Sequence, residues 1–255
     1  LLNFQFIKDK KELILMTRYN LEVCLTPAIF DRYADTEAIV VVIDILRASS
    51  SICNAFANGA ECLIPVPDLE MAREYKKKGY RVAAERDGYV QEFADFGNSP
   101  FNFTPERVRG QTIVYSTTNG TMSIEVASGC YRVLIGSFLN ISSLERYLLD
   151  QDRKIILLCA GWKGKISLED SVFAGALADR LLKSEKFSSS CDSVTLALDL
   201  WKLAEPDILS YIDKAAQRSR LREKGLDDCI PFCHIADSTD VLPYLVKGKL
   251  FNLNL

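Results

Sequence analysis

The chain has 255 residues, 48% hydrophobic and 25% charged, with a net charge of −3. That length supports a sizeable core in one large α/β unit or two smaller ones. The mild acidity gives no general attraction to nucleic acid or to an anionic membrane surface. No apolar run approaches the roughly 20 residues of a spanning helix, so neither partner is expected, and any anionic ligand must be held by local positive groups.

Residues 1–16, up to the first methionine, Met16, are expected to be an extension outside the fold, with 17–250 as a single domain. Ala38 to Ile43 is a continuous apolar run and predicts a buried strand. Ala48 to Asn58, closed by Gly59, predicts a helix. A strand is expected at 62–66, a helix at 69–78 closed by Gly79, and a strand at 80–84. Residues 85–104, rich in Gly, Asp, Asn and Pro, predict a long functional loop. A short capped helix is expected at Thr104-Pro105-Glu106. Further strands are predicted at 111–115, 132–136 and 154–159. Helices are predicted at 120–128, 141–149, 168–183, 194–203 and 207–223. Ser167-Leu168-Glu169-Asp170 resembles a capping box with Asp in the closing position. Ser188-Ser189-Ser190 is the best linker candidate, and the last 30 residues give no clear pattern. Strands alternating with helices predict a three-layer α/β/α fold with a mainly parallel sheet.

The eight cysteines include several in apolar runs, such as Leu157-Leu158-Cys159. They read as buried free thiols of a reducing, cytoplasmic compartment.

In such folds ligands bind beyond the carboxyl ends of the strands, and four turns there carry reactive residues. Asp44, Arg47, Ser49 and Ser50 follow the first predicted strand. Glu85, Arg86 and Asp87 follow the third. Ser116, Thr117, Thr118, Asn119, Gly120 and Thr121 follow the fourth and open a helix, where free N–H groups and the helix dipole favour an anion. Gly161, Lys163, Lys165, Glu169 and Asp170 follow the last. Connections of one handedness place all four on one edge of the sheet, so they are expected to line one cleft. Each has a plainer alternative: Asp44 as a helix cap, Ser49 and Ser50 as first-turn residues, Glu85 and Arg86 as a surface ion pair, Asp170 as the end of the cap at Ser167, and 116–121 as an Asn-Gly turn.

Several mechanisms are excluded. No Walker pattern is present, and no cysteine is followed six residues later by arginine. Position 46 is Leu, not the second Asp of a phosphoaspartate enzyme. His234 is the only histidine, and with Cys229 and Cys233 it offers three soft ligands at most. A hard cation held by carboxylates remains. Mg²⁺ suits Asp44, Glu85 and Asp170 by chemical type, and would offset phosphoryl charge and acidify an attacking water.

Val42-Ile43-Asp44-Ile45-Leu46-Arg47-Ala48-Ser49-Ser50 resembles the opening motif of the 2-phosphosulfolactate phosphatases. Glu85-Arg86, Asp95-Phe96-Gly97-Asn98-Ser99-Pro100, Thr117-Thr118-Asn119-Gly120-Thr121, Cys159-Ala160-Gly161, and Leu168-Glu169-Asp170 with Ala174-Gly175-Ala176 follow in the same order, over residues 20–245. The resemblance implies two α/β subdomains and a Mg²⁺-dependent phosphatase that cleaves 2-phospho-3-sulfolactate to 3-sulfolactate and phosphate, a step of coenzyme M biosynthesis. On that basis Asp44, Arg47, Glu85 and Asp95 are candidate catalytic residues. Asp44, Glu85 and Asp170 are candidate metal ligands. Ser49, Ser50, Arg86, Asn98, Thr117, Thr118, Asn119, Gly120, Thr121 and Gly161 are candidates for binding the substrate, a small anionic phosphoester. Arg47, Arg86, Lys163 and Lys165 are more cations than one metal-bound phosphate requires, so a second anionic group on the substrate is expected, held by Arg86 or the lysines. Another phosphoester, a non-catalytic sensor of phosphorylated acids, and homo-oligomer formation stay open.

Overall fold

The computed structural model describes residues 18–253; the expected extension at 1–16 lies outside the described residues. Eleven strands form one sheet: β1 (Tyr19–Cys24), β2 (Ile39–Ile43), β3 (Cys62–Pro65), β4 (Arg81–Arg86), β5 (Tyr89–Val90), β6 (Thr112–Ser116), β7 (Arg132–Gly136), β8 (Ile155–Cys159), β9 (Phe187–Ser188), β10 (Pro243–Val246) and β11 (Lys249–Asn252). The helices are α1 (Ala48–Ala57), α2 (Leu69–Lys77), α3 (Pro105–Val108), α4 (Gly120–Ala127), α5 (Ile141–Leu149), α6 (Leu168–Lys183), α7 (Asp192–Ala204), α8 (Ile208–Tyr211), α9 (Ala216–Glu223) and α10 (Ile230–Cys233).

The architecture is α/β/α, with the alternation of β2 setting the layers. Ile39, Val41 and Ile43 point into a core shared with Leu144 of α5, Phe173 and Leu177 of α6 and Ala197 of α7. Val40 and Val42 point into the opposite core, with Ile52 and Phe56 of α1 and Ile124 of α4. Burial on both faces is why β2 reads as an unbroken apolar run.

The sheet order is β5-β4-β6-β3-β11-β10-β7-β2-β8-β1-β9. It holds two parallel blocks, β4-β6-β3 and β7-β2-β8-β1. Between them lies the antiparallel hairpin β10–β11, which pairs antiparallel with β7 on one side and β3 on the other. Three antiparallel steps separate β7 from β3, so the blocks run in opposite senses. The expectation that all four loaded turns share one edge of one parallel sheet is therefore corrected. They converge for another reason. Leu63 of β3 and Ile113 and Tyr115 of β6 enter the same core as Val42 and Leu158, around α1, and this shared core draws the carboxyl ends of both blocks together.

The hairpin escaped the sequence pattern because its turn is Lys247-Gly248 rather than Asn-Gly. Both residues have positive φ, 48° and 76°, as a two-residue hairpin turn requires. The single helix expected at 207–223 is broken: Asp207 caps α8, Ile212–Lys214 form a 3-10 turn, Ala215 is extended with ψ 135°, and α9 follows. Ile212 and Leu221 would lie about 180° apart on one continuous helix; the break lets both enter the same core. The linker expected at 188–190 instead begins in β9, which pairs with β1. The loop 85–104 is structured by β5 and by the stacked buried rings of Phe96 and Phe103.

Gly175 marks where α6 meets α7. A Cβ there would stand 2.0 Å from the Ala197 carbonyl oxygen and 2.9 Å from the Trp201 Cβ. Gly175→Ala is expected to destabilise the fold by about 1–3 kcal/mol, as overpacking does, seen as a lower midpoint in urea with an unchanged slope. An unchanged midpoint would mean that the two helices separate freely.

Candidate active site

The turn after β2 is built around Asp44. Its N–H donates to Ser49 Oγ at 3.2 Å, its carbonyl accepts the Ser49 N–H at 2.8 Å, and its Oδ1 accepts the Ala48 N–H at 3.3 Å. Asp44 thus caps α1 with one oxygen. Its Oδ2 faces the start of α4, 3.0 Å from where a Gly120 Cβ would stand. That Cβ would also lie 2.5 Å from Ala48 Cβ and 3.1 Å from Thr117 Oγ1. Glycine is required here by the close approach of two turns.

The hydroxyl-rich segment is stitched to itself and to Glu85. The Thr117 N–H donates to Thr121 Oγ1, and the Thr121 N–H donates to Thr117 Oγ1, both at 3.3 Å. Glu85 Oε1 accepts the Thr118 N–H at 2.8 Å and the Thr118 hydroxyl at 3.1 Å, while Oε2 accepts the Gly88 N–H at 2.7 Å. The N–H groups left unbonded at this end of α4, among the described residues, are those of Asn119, Gly120 and Met122. Asn119 Oδ1 accepts the Lys163 N–H at 3.0 Å, which joins this turn to the one after β8.

In that last turn Gly161 has φ 62°, and a Cβ would lie 2.2 Å from the Lys165 carbonyl oxygen. Ser167 caps α6 by accepting the Asp170 N–H at 3.4 Å. The Asp170 carboxylate does not complete a capping box. Its Oδ1 accepts the Ile45 N–H at 2.8 Å and its Oδ2 the Gly161 N–H at 3.0 Å, so it clamps the turns after β2 and β8 together.

The four turns therefore meet, as expected. They enclose a cleft walled by Asp44, Arg47, Glu85, Asn98, Asn119 and Trp162, with Gln217 and Leu221 of α9 above it. Arg47 is 4% exposed and donates to the Leu226 carbonyl at 3.3 Å, which fixes a cation on the cleft wall. Burial, with the nearby Glu85 and Glu169 carboxylates, pushes Asp44 up to about 7 against the Ala48 N–H and Arg47. Burial also raises Glu169, and raises Asp170 well above the usual carboxylate range with help from Glu169 and Asp44. Among the described residues no three such groups stand close enough to enclose a metal ion alone. The donor set still fits a hard cation that keeps several waters and takes one or two carboxylates: buried carboxylates repel one another here, and an Asp44 oxygen faces the cleft.

A model of the 2-phosphosulpholactate phosphatase family matches residues 24–248. The chain belongs to the 2-phosphosulfolactate phosphatase family. A protein of Caldanaerobacter subterraneus named probable 2-phosphosulfolactate phosphatase is 34% identical over 216 residues, covering 83% of this chain and 89% of its own length. Similarly named proteins of Thermotoga maritima (36% over 208 residues, 82% and 89%) and Clostridium novyi (35% over 214 residues, 83% and 90%) match as well. The binding-only alternative gives way to an enzyme, a phosphatase.

Within this phosphatase several expected site residues have other work. Asp95, expected to be catalytic, lies beside Val82 near the amino end of β4, opposite the cleft; both its oxygens meet Lys76 Nζ at 2.7 Å, and it accepts the Val82 N–H at 2.8 Å. Burial works to raise its pKa, but these bonds win and lower it. Arg86 is held by the Glu85 and Pro67 carbonyls and Ser116 Oγ, at 2.6, 2.7 and 3.0 Å. Ser50 is fully buried and donates to the Ile45 carbonyl at 2.9 Å, so it cannot reach a ligand. Ser49 holds the Asp44 turn, and Thr117 and Thr121 hold each other. Thr118 and Glu85 are bound together, and Gly161 serves its turn. Asn98 stays on the cleft wall, and the Tyr115 hydroxyl donates to its Oδ1. Lys163 pairs with Asp87 at 2.6 Å, and Lys165 is exposed. His234 packs on Phe138, with Nδ1 2.8 Å from the Ile230 carbonyl oxygen. Trp162, Gln217 and Leu221 are cleft walls outside the expected site residues, and Glu169, expected in the turn after β8, had no role assigned. A buried acidic residue in the first turn of α6, beside the clamp Asp170, was the available signal for Glu169. Nothing in the local pattern pointed to α9.

Proposed function

We propose that the chain hydrolyses 2-phospho-3-sulfolactate to 3-sulfolactate and phosphate, with Mg²⁺ held by Asp44 and Glu169. Asp44 lines the cleft with Oδ2 turned to the start of α4, and Glu169 is buried close enough to oppose its charge, whereas Glu85 holds Thr118 and Gly88 and Asp170 holds Ile45 and Gly161. The observation that carries this is the set of mutually repelling buried carboxylates beside one buried guanidinium, Arg47, in a chain of this family. When bound, the cation supplies positive charge against the phosphoryl oxygens and acidifies an attacking water. Arg47 presents a fixed cation to the phosphoryl group, and the unbonded N–H groups at the start of α4 favour an anion at that helix end. With the cation bound, Asp44 would be held ionised as its ligand. Glu85 and Asp170 act by position: each fixes a loop so that the donors need no reorganisation. The reaction would serve coenzyme M biosynthesis in the cytoplasm.

The experiment is phosphate release from a panel of small phosphoesters, with Mg²⁺ and with excess EDTA. Turnover of phosphosulfolactate that needs the cation is the expected result. Full turnover in EDTA would overturn the metal, and preference for another ester would overturn the substrate. No helix among the described residues is long and apolar enough to cross a membrane.

A further inference from the structure

A doubly charged phosphoester needs a second cationic contact, and the structure engages most of the residues first expected to give it elsewhere, with Lys165 exposed. Arg86 is held in place by two carbonyls and a hydroxyl. Lys163 is paired with Asp87, and Arg47 is fixed on the cleft wall. A further cation stands beside the cleft on α9, against two of the cleft walls. This helix is tied over the site at both ends: Gln217 Nε2 donates to the Leu46 carbonyl at 3.1 Å, and Lys224 Nζ donates to the Asp87 carbonyl. Gln217 and Leu221 face the cleft.

Arg220 lies one turn after Gln217. Its Nε donates to Gln217 Oε1 at 2.8 Å, and its guanidinium carbon stands 4.4 Å from the centre of the Trp162 ring. Trp162 is itself a cleft wall. Burial lowers the Arg220 pKa and the charge of Glu169 raises it, which sets the guanidinium within electrostatic reach of the carboxylate cluster. Among the described residues its two Nη groups make no hydrogen bond or ion pair. A planar fork held by a ring on one face and an amide at Nε, with both Nη groups open, is the arrangement that reads a carboxylate or sulfonate.

We propose that Arg220 binds the second anionic group of the substrate, so that α9 is a selectivity element of this phosphatase and not merely its cover. The substrate named here rests on the function proposed above. The test compares the parent with Arg220→Met, which keeps an apolar stem on Trp162, and Arg220→Lys, which keeps the charge and loses the fork. Each is assayed on phosphosulfolactate and on isopropyl phosphate, which lacks a second anion. Arg220→Met is expected to raise KM for phosphosulfolactate by at least roughly tenfold, the scale of a hydrogen bond to a charged group. KM for isopropyl phosphate should change by less than about twofold, and Arg220→Lys should recover part of the loss. Equal losses on both esters, or none, would overturn the proposal, because a covering role does not distinguish the two. If the parent hydrolyses neither ester, the phosphatase substrate is wrong but Arg220 is still tested by calorimetry. 3-Sulfolactate should bind Arg220→Met at least roughly tenfold more weakly, with binding of inorganic phosphate unchanged. Unchanged sulfolactate binding would reject Arg220.

Discussion

Asp44→Asn is expected to fold as the parent does and to release phosphate at least roughly a hundredfold more slowly, the scale of losing one preorganised electrostatic group. The two oxygens of Asp44 have separate duties. Oδ1 caps α1 through the Ala48 N–H, and an asparagine carbonyl oxygen does this equally well. Oδ2 faces Gly120 and the cleft, and an amide nitrogen there cannot hold a cation. The substitution also removes a buried charge that Glu85 and Glu169 oppose. The variant is therefore expected to melt at or above the parent temperature near pH 8 without added cation. Lost activity with kept or raised stability separates a chemical role from a structural one. A large drop in melting temperature would show Asp44 to be a cap first, and near-parental kcat would remove it from the reaction.

The second large effect is linkage between pH, the cation and stability. The pKa of Asp44 goes from 3.8 in a solvated chain to about 7 in the fold. Between those values the folded state holds more protons than the unfolded one, so this contribution falls as pH rises. It is complete below the solvated value and gone above about 7. Glu169 and Asp170 move the same way. His234, lowered to about 4 by burial, gives the opposite slope up to its solvated value of 6.5. Carboxylates held low by ion pairs, such as Asp95, act below this window.

The cation isolates the cluster from these others. A divalent ion favours the ionised carboxylates, so the rise in melting temperature on adding Mg²⁺ should be small near pH 5 and large near pH 8. At ~1.4 kcal/mol per pKa unit, the roughly two units between pH 5 and the folded Asp44 value of about 7 are worth on the order of 3 kcal/mol. For a chain of this size that predicts a difference of at least roughly 5 °C between the two Mg²⁺ effects. The same measurement on Asp44→Asn should lose most of it. A Mg²⁺ effect that is equal at both pH values would mean that these carboxylates do not hold the ion.

What was legible in the sequence was local. β2, α1, α2 and α6 follow from apolar runs, from the cap at Ser167, and from closing glycines such as Gly59 and Gly79. The carboxylates at Asp44, Glu85 and Asp170 were found because acidic residues after buried strands are conspicuous. Their partners were not, because a bond such as Asp170 to Ile45 spans 125 positions and leaves no local periodicity. For the same reason Arg86 looked available when its guanidinium was already spoken for. Convergence of the turns was expected from a single parallel sheet, whereas it arises from two blocks of opposite sense meeting over α1. The α9 contribution was hidden by the break at Ala215, since a continuous helix from 207 would have set Gln217 in another direction.

The hairpin β10–β11 has a consequence for biosynthesis. Its residues, 243–252, follow every other strand among the described residues, yet they stand between β3 and β7 near the middle of the sheet. A nascent chain therefore carries all the turns of the cleft before it carries the strands that join its two blocks. During that interval β3 and β7 each offer an open edge to neighbouring chains. Synthesis of this hairpin, rather than of the reactive residues, is what allows the sheet to close and the enzyme to acquire its site.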